Sequence, residues 1–591
     1  MKNIKNIISL VLAIATLMSC MVVGASAANF EDIKDLNTGA DYYEAVKWAF
    51  AEGYMTGTSA TTFAPDKTLT RAEFATLIAR FSGADLTQYA NKAVFSDVSA
   101  SSWCGPTVAW ASENKIMNGT GNGKFSPNTV ITRQEIAVLF NNFVNFKGIV
   151  LEKQVPETRL MDRGSKKCAS WAKDAVISAY KTNILPLDEN DCFNPTVQMT
   201  RGDAAMALYA LDQSIDRLSA EREPLVVAYY DLNNASALDE LKDVDVINLH
   251  PFKANGENKK IDTQRLSRIE SIRNTINAMN YNPDLKYVLM IPVDSGPNIE
   301  KWLDSYADCD EFAEEAVKII AEYDLDGLDF DYEFPSGNVP QKNLQYFLTV
   351  VRNKLEALGT GKDYIISMAI AGGTWSDSLF QDLGELQHYV DYLNYMDYDL
   401  HSEKDITYDH AAVYDSIYPN GSTYADAVMS INAGMQREKI VLGVGAYTQN
   451  WSNVQAPEGS KVGLHCVGTH NDERPIYFNA YRSWIDYEKI DAGIEYSVGG
   501  WYPHYNETSG SLSFYNPSTK QFASGDDDRS IENKCKIVVD LNLGGIMYFD
   551  YTQAAGAYEY AEPGREDDAA RVMIFEKTAK WLGKETTDLV E

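Results

Sequence analysis

Two hydrophobic rhythms divide this chain. In the first third, apolar residues recur at helical spacing: Phe74, Leu77, Ile78 and Phe81, then Ile136, Leu139, Phe140 and Phe143, then Ala204, Ala207, Leu208 and Leu211. An i, i+3, i+4, i+7 pattern lays one apolar stripe along one helix face. Each stripe begins at a Thr-Arg pair, Thr70-Arg71, Thr132-Arg133 or Thr200-Arg201, with Glu73, Glu135 or Asp203 three residues beyond the Thr. That is the pattern of a capping box. A Phe-x-Pro run starts eight residues before each Arg, at Phe63-Ala64-Pro65, Phe125-Ser126-Pro127 and Phe193-Asn194-Pro195. A further helix is expected upstream of each, holding Trp48, Trp110 or Trp171, and in the first two a turn follows at Met55-Thr56-Gly57 and Met117-Asn118-Gly119. Residues 29–215 therefore read as three all-α repeats, about 29–86, 93–148 and 159–215. One helix–loop–helix unit cannot bury its apolar face alone, whereas three packed together can. A charged stretch up to Pro224, with Asp212, Asp216, Arg217, Glu221, Arg222 and Glu223, reads as a linker.

After Pro224 the rhythm changes to short apolar runs alternating with helical patterns. The runs are 226–230, 244–249, 287–293, 328–334, 364–371, 390–398, 440–447 and 544–549. Eight such strands predict an α/β fold, a (β/α)8 barrel, with its chemistry at the C-terminal strand ends. Residues 450–535 are long for one connection and predict a small inserted subdomain.

The fourth run is unlike the rest. Leu328, Phe330, Tyr332 and Phe334 alternate with Asp329, Asp331 and Glu333. A period of two marks a strand and puts the three acids on one face, about 6–7 Å apart. The other face is fully apolar, and an amphipathic helical run, Glu311 to Tyr323, precedes it. That order suits a buried parallel strand after its crossover helix rather than a solvated edge. Buried together, the acids repel and resist ionisation, so one keeps its proton near neutral pH. A protonated acid beside ionised ones is what glycosidic bond cleavage requires.

The run Asp326-Gly327-x-Asp329-x-Asp331-x-Glu333 matches every fixed position of the glycoside hydrolase family 18 (chitinase family) signature, with Tyr332 where the family more often has Trp. Asn394-Tyr395-Met396-Asp397-Tyr398-Asp399 resembles the family's sixth strand, Leu442 to Tyr447 its seventh, and Asp528 to Lys534 with Gly544 to Met547 its eighth. The resemblance covers about 222–585, and residues 450–535 stand where the family carries an α+β insertion. Two departures stand near the rim: Pro292 to Gly296 replaces the usual third-strand end, and Phe549 replaces a Trp that floors the sugar site. The three repeats resemble S-layer homology domains, whose Thr-Arg-Ala-Glu run is verbatim at 70–73.

These resemblances imply roles. Glu333 would be the general acid and later the base. Asp331 would orient the substrate's 2-acetamido group, which attacks the anomeric carbon in a retaining mechanism without an enzyme nucleophile. Asp329 would share a proton with Asp331. Tyr398, Asp399 and Met396 would shape the acetamide pocket, and Tyr229, Tyr447 and Phe549 would stack on sugar rings. The implied substrate is chitin or a related β-1,4-linked N-acetylglucosamine glycan. An endo-β-N-acetylglucosaminidase or a peptidoglycan hydrolase is the alternative, and a lectin-like wall or chitin binder is the non-enzyme alternative. For the repeats, the resemblance implies that Arg71, Arg133 and Arg201 help hold an anionic secondary cell-wall polymer, a role that fits the guanidinium's donors.

Composition narrows the partners. The chain has 591 residues, 45% of them hydrophobic and 23% charged, so it is globular with room for two or more domains. A net charge of −32 excludes nucleic acid and anionic membrane as bulk partners. Residues 1–28 read as a secretory leader: Lys2 and Lys5, an apolar run from Ile7 to Val23, then Ala25-Ser26-Ala27. A lipoprotein site at Leu17-Met18-Ser19-Cys20 is the alternative. No other segment is apolar enough to span a bilayer, so the expected location is outside the cell, attached to the bacterial surface. The remaining cysteines, Cys104, Cys168, Cys192, Cys309, Cys466 and Cys535, include no Cys-x-x-Cys pair. No metal or cofactor is implied. Export permits disulfides, with Cys168 and Cys192 the first pair to test, and buried free thiols are the alternative.

Overall fold

The computed structural model describes residues 29–156, 168–188, 190, 192–233, 238–250, 254–255, 260–261, 263–264, 266–279, 282–293, 300–332, 341–372, 382–400, 405–414, 421–471, 475–559 and 570–584. The chain divides between Ala220 and Glu221 into two compact units.

The first unit is helical. Each repeat supplies two helices: α1 (Tyr43–Ala51) and α2 (Arg71–Phe81), α3 (Gly105–Glu113) and α4 (Arg133–Lys147), α5 (Lys173–Lys181) and α6 (Arg201–Arg217). Thr70, Thr132 and Thr200 close the expected capping boxes with Glu73, Glu135 and Asp203. The stripe residues are buried, Phe81 only partly. Two expectations are corrected. Trp171 lies in a one-turn helix, Ser170–Ala172, ahead of α5 and is 61% exposed. Its counterpart is Trp103, 66% exposed and likewise two residues before a helix, rather than the buried Trp110. Asp212, Asp216 and Arg217 belong to α6 and not to a linker, because Leu211, Ser214 and Ile215 keep the inward face going for another turn.

The repeats close into a ring. Helix α2 packs on α3, α4 on α5, and α6 on α1. At the centre the Leu69 N–H donates to Met199 O, Met199 N–H to Ile131 O and Ile131 N–H to Leu69 O, each at 3.0 Å. Every repeat's Arg reaches into the next repeat. Arg71 donates from Nε to Phe125 O (3.0 Å), from Nη2 to Asn118 O (2.8 Å) and from Nη1 to Glu135 Oε1 (2.8 Å). Arg201 donates from Nε to Phe63 O (2.8 Å) and from Nη2 to Thr56 O (2.7 Å), and Arg133 donates to Pro186 O. Each guanidinium also lies over the next repeat's Phe: Arg71 over Phe125 at 4.9 Å, Arg133 over Phe193 at 5.0 Å and Arg201 over Phe63 at 4.5 Å. The recurring Phe-x-Pro and Thr-Arg elements thus meet between repeats, not within one.

The second unit holds a closed parallel barrel: β1 (Leu225–Asp231), β2 (Val246–His250), β3 (Lys286–Val293), β4 (Gly327–Tyr332), β5 (Ile365–Ala371), β6 (Tyr392–Met396), β7 (Ile440–Gly445) and β8 (Gly545–Phe549). The crossover helices include α7 (Ile269–Met279), α8 (Tyr306–Glu322), α9 (Gln341–Ala357), α10 (Thr423–Asn432) and α11 (Asp528–Leu541), and α12 (Ile574–Trp581) follows β8. Alternation sorts the strand residues cleanly. Val226, Ala228 and Tyr230 of β1, and Leu328, Phe330 and Tyr332 of β4, join the shell under the helices. Val227, Tyr229, Val288, Met290, Ala369, Val441 and Met547 pack in the lumen. Phe330 lies 5.1 Å from Phe347 of α9 and 6.0 Å from Phe312 of α8, so the crossover helices clamp the outer face of β4. Gly327 opens that strand because a Cβ there would sit 2.0 Å from Ile365 O on β5.

Between β7 and α11 a five-stranded antiparallel sheet is inserted, from Thr469–His470, Gln449–Ser452, Gln521–Gly525, Ser511–Asn516 and Tyr502–Asn506 in that spatial order. It is the expected α+β insertion, and α11 after it belongs to the barrel. All six described cysteines are thiols, so Cys168 and Cys192 are not joined. Among the described residues no helix is long and apolar enough to cross a membrane.

The ring yields a test. Arg71→Ala strands Glu135 and two turn carbonyls at a seam, and should destabilise the helical unit by roughly 2–4 kcal/mol. Denaturant unfolding followed by tryptophan fluorescence reads this, and an unmoved midpoint would show that the ring does not depend on the arginine.

Candidate active site

Strand β4 carries the two described acids into the lumen. Asp329 pairs across the ladder with Met290 and Ser367, and Asp331 with Pro292 and Ala369. Glu333 follows Tyr332, the last residue of β4, and lies outside the described residues, as do Asp294 to Gly296. Asp331, Tyr229, Met396, Tyr398, Asp399, Tyr447 and Phe549 line one pocket at the C-terminal strand ends, with the small residues Ala369, Ala371 and Gly372 on its β5 side.

Asp329 lies one pleat deeper and is fully buried. Three donors surround it: Tyr229 OH to Oδ2 at 2.8 Å, Ser367 Oγ to Oδ1 at 2.6 Å and Asn394 Nδ2 to Oδ1 at 3.2 Å. Burial pushes its carboxyl up to about 6 although these donors pull the other way. Asp331 is not among these three donors. Tyr229 is itself 1% exposed, and burial with the nearby Asp329 raises its phenol well above the ordinary value. Its hydroxyl is committed to holding the acid, a task strand alternation alone does not reveal.

Aromatic rings wall the pocket. Phe549, where the family resemblance expects Trp, stands 5.6 Å from Tyr229 and 6.1 Å from Tyr398, and stacks on His250 at 5.6 Å and 26°. Tyr398 meets Tyr447 edge-on at 5.8 Å.

The end of β6 is fixed from behind. Asp397 is fully buried and accepts the Gly443 N–H at 2.9 Å. Burial raises its carboxyl, partly offset by Lys534. Lys534 of α11, also buried, donates to Asp397 O (3.2 Å), Gly443 O (2.7 Å) and Asp526 Oδ2 (3.0 Å). Beyond that anchor the backbone turns at Asp399, φ 54°, which swings the Asp399 side chain into the pocket. Its Oδ2 accepts from Tyr447 OH at 2.6 Å, and its Oδ1 from Gln449 Nε2 at 2.6 Å. Burial opposes ionisation, but His410 and these donors outweigh it and hold the carboxyl below its ordinary value.

Ser367, His410 and Gln449 were not singled out from the sequence, and Asn394 and Lys534 stood there only inside matched runs, without a role. Ser367 was readable as one polar residue inside an apolar strand, and Lys534 as a lysine on the inward face of an amphipathic helix. His410 and Gln449 carry no local signal.

A family model for glycosyl hydrolases family 18 matches residues 225–554, and one for the S-layer homology domain matches 32–75, 94–137 and 165–205. Chitinase A1 of Niallia circulans is 27% identical over 318 residues, covering 48% of this chain and 43% of that protein. Chitinase 1 of Aphanocladium album is 28% identical over 40% of this chain and 54% of that protein. The chain thus spans about half the length of these relatives. Catalytic domain 2 of an Ostrinia furnacalis Group II chitinase superposes with a TM-score of 0.51 at 19% identity, over 63% of this chain and 100% of that one, and shares its fold. With its signature strand in a closed barrel and its first third in three matched repeats, the chain belongs to glycosyl hydrolase family 18 and carries S-layer homology domains.

Proposed function

We propose that the barrel is a chitinase-like hydrolase that cleaves β-1,4-linked N-acetylglucosamine glycans with retention, assisted by the substrate's acetamide, on a chain held at the bacterial surface by its repeats. One observation carries this reading: a single pocket gathers Asp331 with Tyr398, Asp399, Met396 and three aromatic rings, directly above a buried acid. Glu333 protonates the leaving oxygen as the acetamide oxygen attacks the anomeric carbon and the glycosidic bond breaks. Asp331 holds the acetamide N–H and balances the positive oxazolinium. Water, deprotonated by Glu333, then opens the ring and restores the acid. The inserted sheet favours chitinase over an N-glycan-cleaving enzyme, since the latter commonly lack it. Retention of Glu333 favours an enzyme over a lectin-like binder.

The repeats support attachment to an anionic wall polymer. Arg133 and Arg201 are part-exposed at two of the seams, and their N–H groups not taken up by the neighbouring repeat supply the contacts, whereas Arg71 is buried with all three nitrogens engaged and braces its seam instead.

Two outcomes test the barrel. Glu333→Gln and Asp331→Asn should each lower turnover on chito-oligosaccharides by roughly 10²–10⁴-fold while leaving glycan binding intact. Near-normal turnover in either removes that residue from its role, and cleavage of N-glycopeptide or peptidoglycan instead of chito-oligosaccharide replaces the substrate. The second outcome concerns stability. Between about pH 4 and 6 the folded protein retains an Asp329 proton that the unfolded chain has released, so this group lowers stability as pH rises. Replacing it by Asn removes that dependence. From pH ~4 to ~7, the unfolding free energy of Asp329→Asn relative to the parent should move in the variant's favour by on the order of 1–3 kcal/mol. Parallel curves in denaturant titrations would show that Asp329 ionises as freely as in the unfolded chain.

A further inference from the structure

His410 is fully buried, and both of its ring nitrogens face acceptors. Nε2 lies 3.1 Å from the Tyr447 carbonyl oxygen, which can only accept, so Nε2 carries a hydrogen. Nδ1 lies 3.0 Å from Asp399 Oδ1. A bare lone pair there would oppose a carboxylate oxygen. The same carboxylate already accepts from Tyr447 OH and Gln449 Nε2, each at 2.6 Å, an arrangement that suits an ionised group. The Asp399 N–H also approaches Nδ1, but at 3.4 Å.

We propose that His410 is a positioning residue: a buried imidazolium, protonated on both nitrogens, that holds Asp399 ionised and aimed at the substrate while bracing Tyr447 through its carbonyl. The proposal rests on the reading of this pocket as the sugar site. It gives the inserted sheet a task as well. The segment bearing His410 is stapled to that sheet: His410 N–H donates to Ser524 Oγ at 3.3 Å, and Asp409 Oδ2 accepts from Ser509 Oγ at 2.7 Å and Asn506 Nδ2 at 2.8 Å. Gln449, which shares the Asp399 oxygen, belongs to the sheet and contacts His470 Nε2 through its Oε1 at 2.5 Å. The insertion therefore positions the residues that grip Asp399 on its open side, so it contributes to substrate binding as well as to the pocket's wall.

The charge balance points the same way. Asp399 retains 42% side-chain exposure, whereas the imidazole has none. A cation placed behind a half-exposed carboxylate keeps it ionised without competing for the edge that faces substrate. Removing the cation leaves two neutral donors and a freer side chain, which weakens ground-state and transition-state binding alike and raises KM more than it lowers kcat.

The test uses the full chain. His410→Ala should raise KM for a chito-oligosaccharide by roughly tenfold, with kcat within about threefold. His410→Asn, whose amide nitrogen takes the place of Nδ1 but carries no charge, should recover only part of that loss, and full recovery would show that the charge is not needed. Nitrogen-15 spectra of histidine-labelled protein near neutral pH should show both His410 nitrogens protonated. A singly protonated ring, or an unchanged KM in His410→Ala with only a lowered melting temperature, overturns the proposal. Should the parent cleave no N-acetylglucosamine glycan, the sugar-site reading fails, and with it the role in substrate binding. The spectrum would still decide the imidazolium by itself.

Discussion

The barrel mouth depends on keeping a carboxyl group where water cannot reach it. Asp329 is fully buried, and burial raises its carboxyl from 3.8 to about 6, a cost of roughly 3 kcal/mol when it ionises near neutral pH. The same strand supplies the compensation. Leu328, Phe330 and Tyr332 lie on its outer face under the helices, each worth roughly 1.5–3 kcal/mol of burial. Alternation makes the two inseparable: a one-residue slip would turn the apolar row into the lumen and the acids into the helical shell. The outer row therefore fixes the register that places Asp329 and Asp331. Tyr229, Ser367 and Asn394 then limit how far the desolvation goes.

A similar logic recurs behind β6, where a full charge is buried. Lys534 has no exposed surface, and its ammonium is met by one carboxylate and two carbonyl oxygens. An unpaired ammonium there would be strongly destabilising, so the position of α11 is tied to the ends of β6 and β7. The rim can then carry a residue in a left-handed backbone conformation, Asp399, because the chain just before it is held from behind. Buried charge here serves geometry more than stability. It holds fixed the two residues, Tyr398 and Asp399, that the pocket needs at its edge.

How much of this could be read from the sequence follows from the range of each interaction. Period-two alternation is local, so β4 and its two lumen acids were legible, and so were the barrel and the insertion, given the family signature. Capping boxes are equally local, and all three formed. Contacts between distant segments were not legible. Arg71, Arg133 and Arg201 looked like polymer ligands, and nothing nearby in the sequence showed that each turns into the next repeat's loop. His410 reaches Asp399 across an irregular segment without periodicity. Trp171 was misplaced because three tryptophans suggested one repeat position, when two distinct positions carry them: Trp110 packs inside, while Trp103 and Trp171 stand outside.

Both units share a need to join their ends. In the barrel, β1 pairs with β8 so closely that a Cβ on Gly545 would lie 2.2 Å from Leu225 O. In the helical unit, the contact from Arg71 to Phe125 bridges 54 residues, whereas the closing contact from Arg201 to Phe63 bridges 138. Because closure entropy grows only with the logarithm of length, the longer span adds only about 0.8 kcal/mol. Closing returns the Leu69-to-Met199 and Arg201-to-Lys67 backbone bonds, two guanidinium bonds and the packing of α6 on α1. At roughly 0.5–1.5 kcal/mol per hydrogen bond, that gain exceeds the added entropy severalfold. Three repeats therefore favour a ring over an open stack, and the third repeat is indispensable because it offers Phe193 to Arg133 of the second repeat and Arg201 to Phe63 of the first.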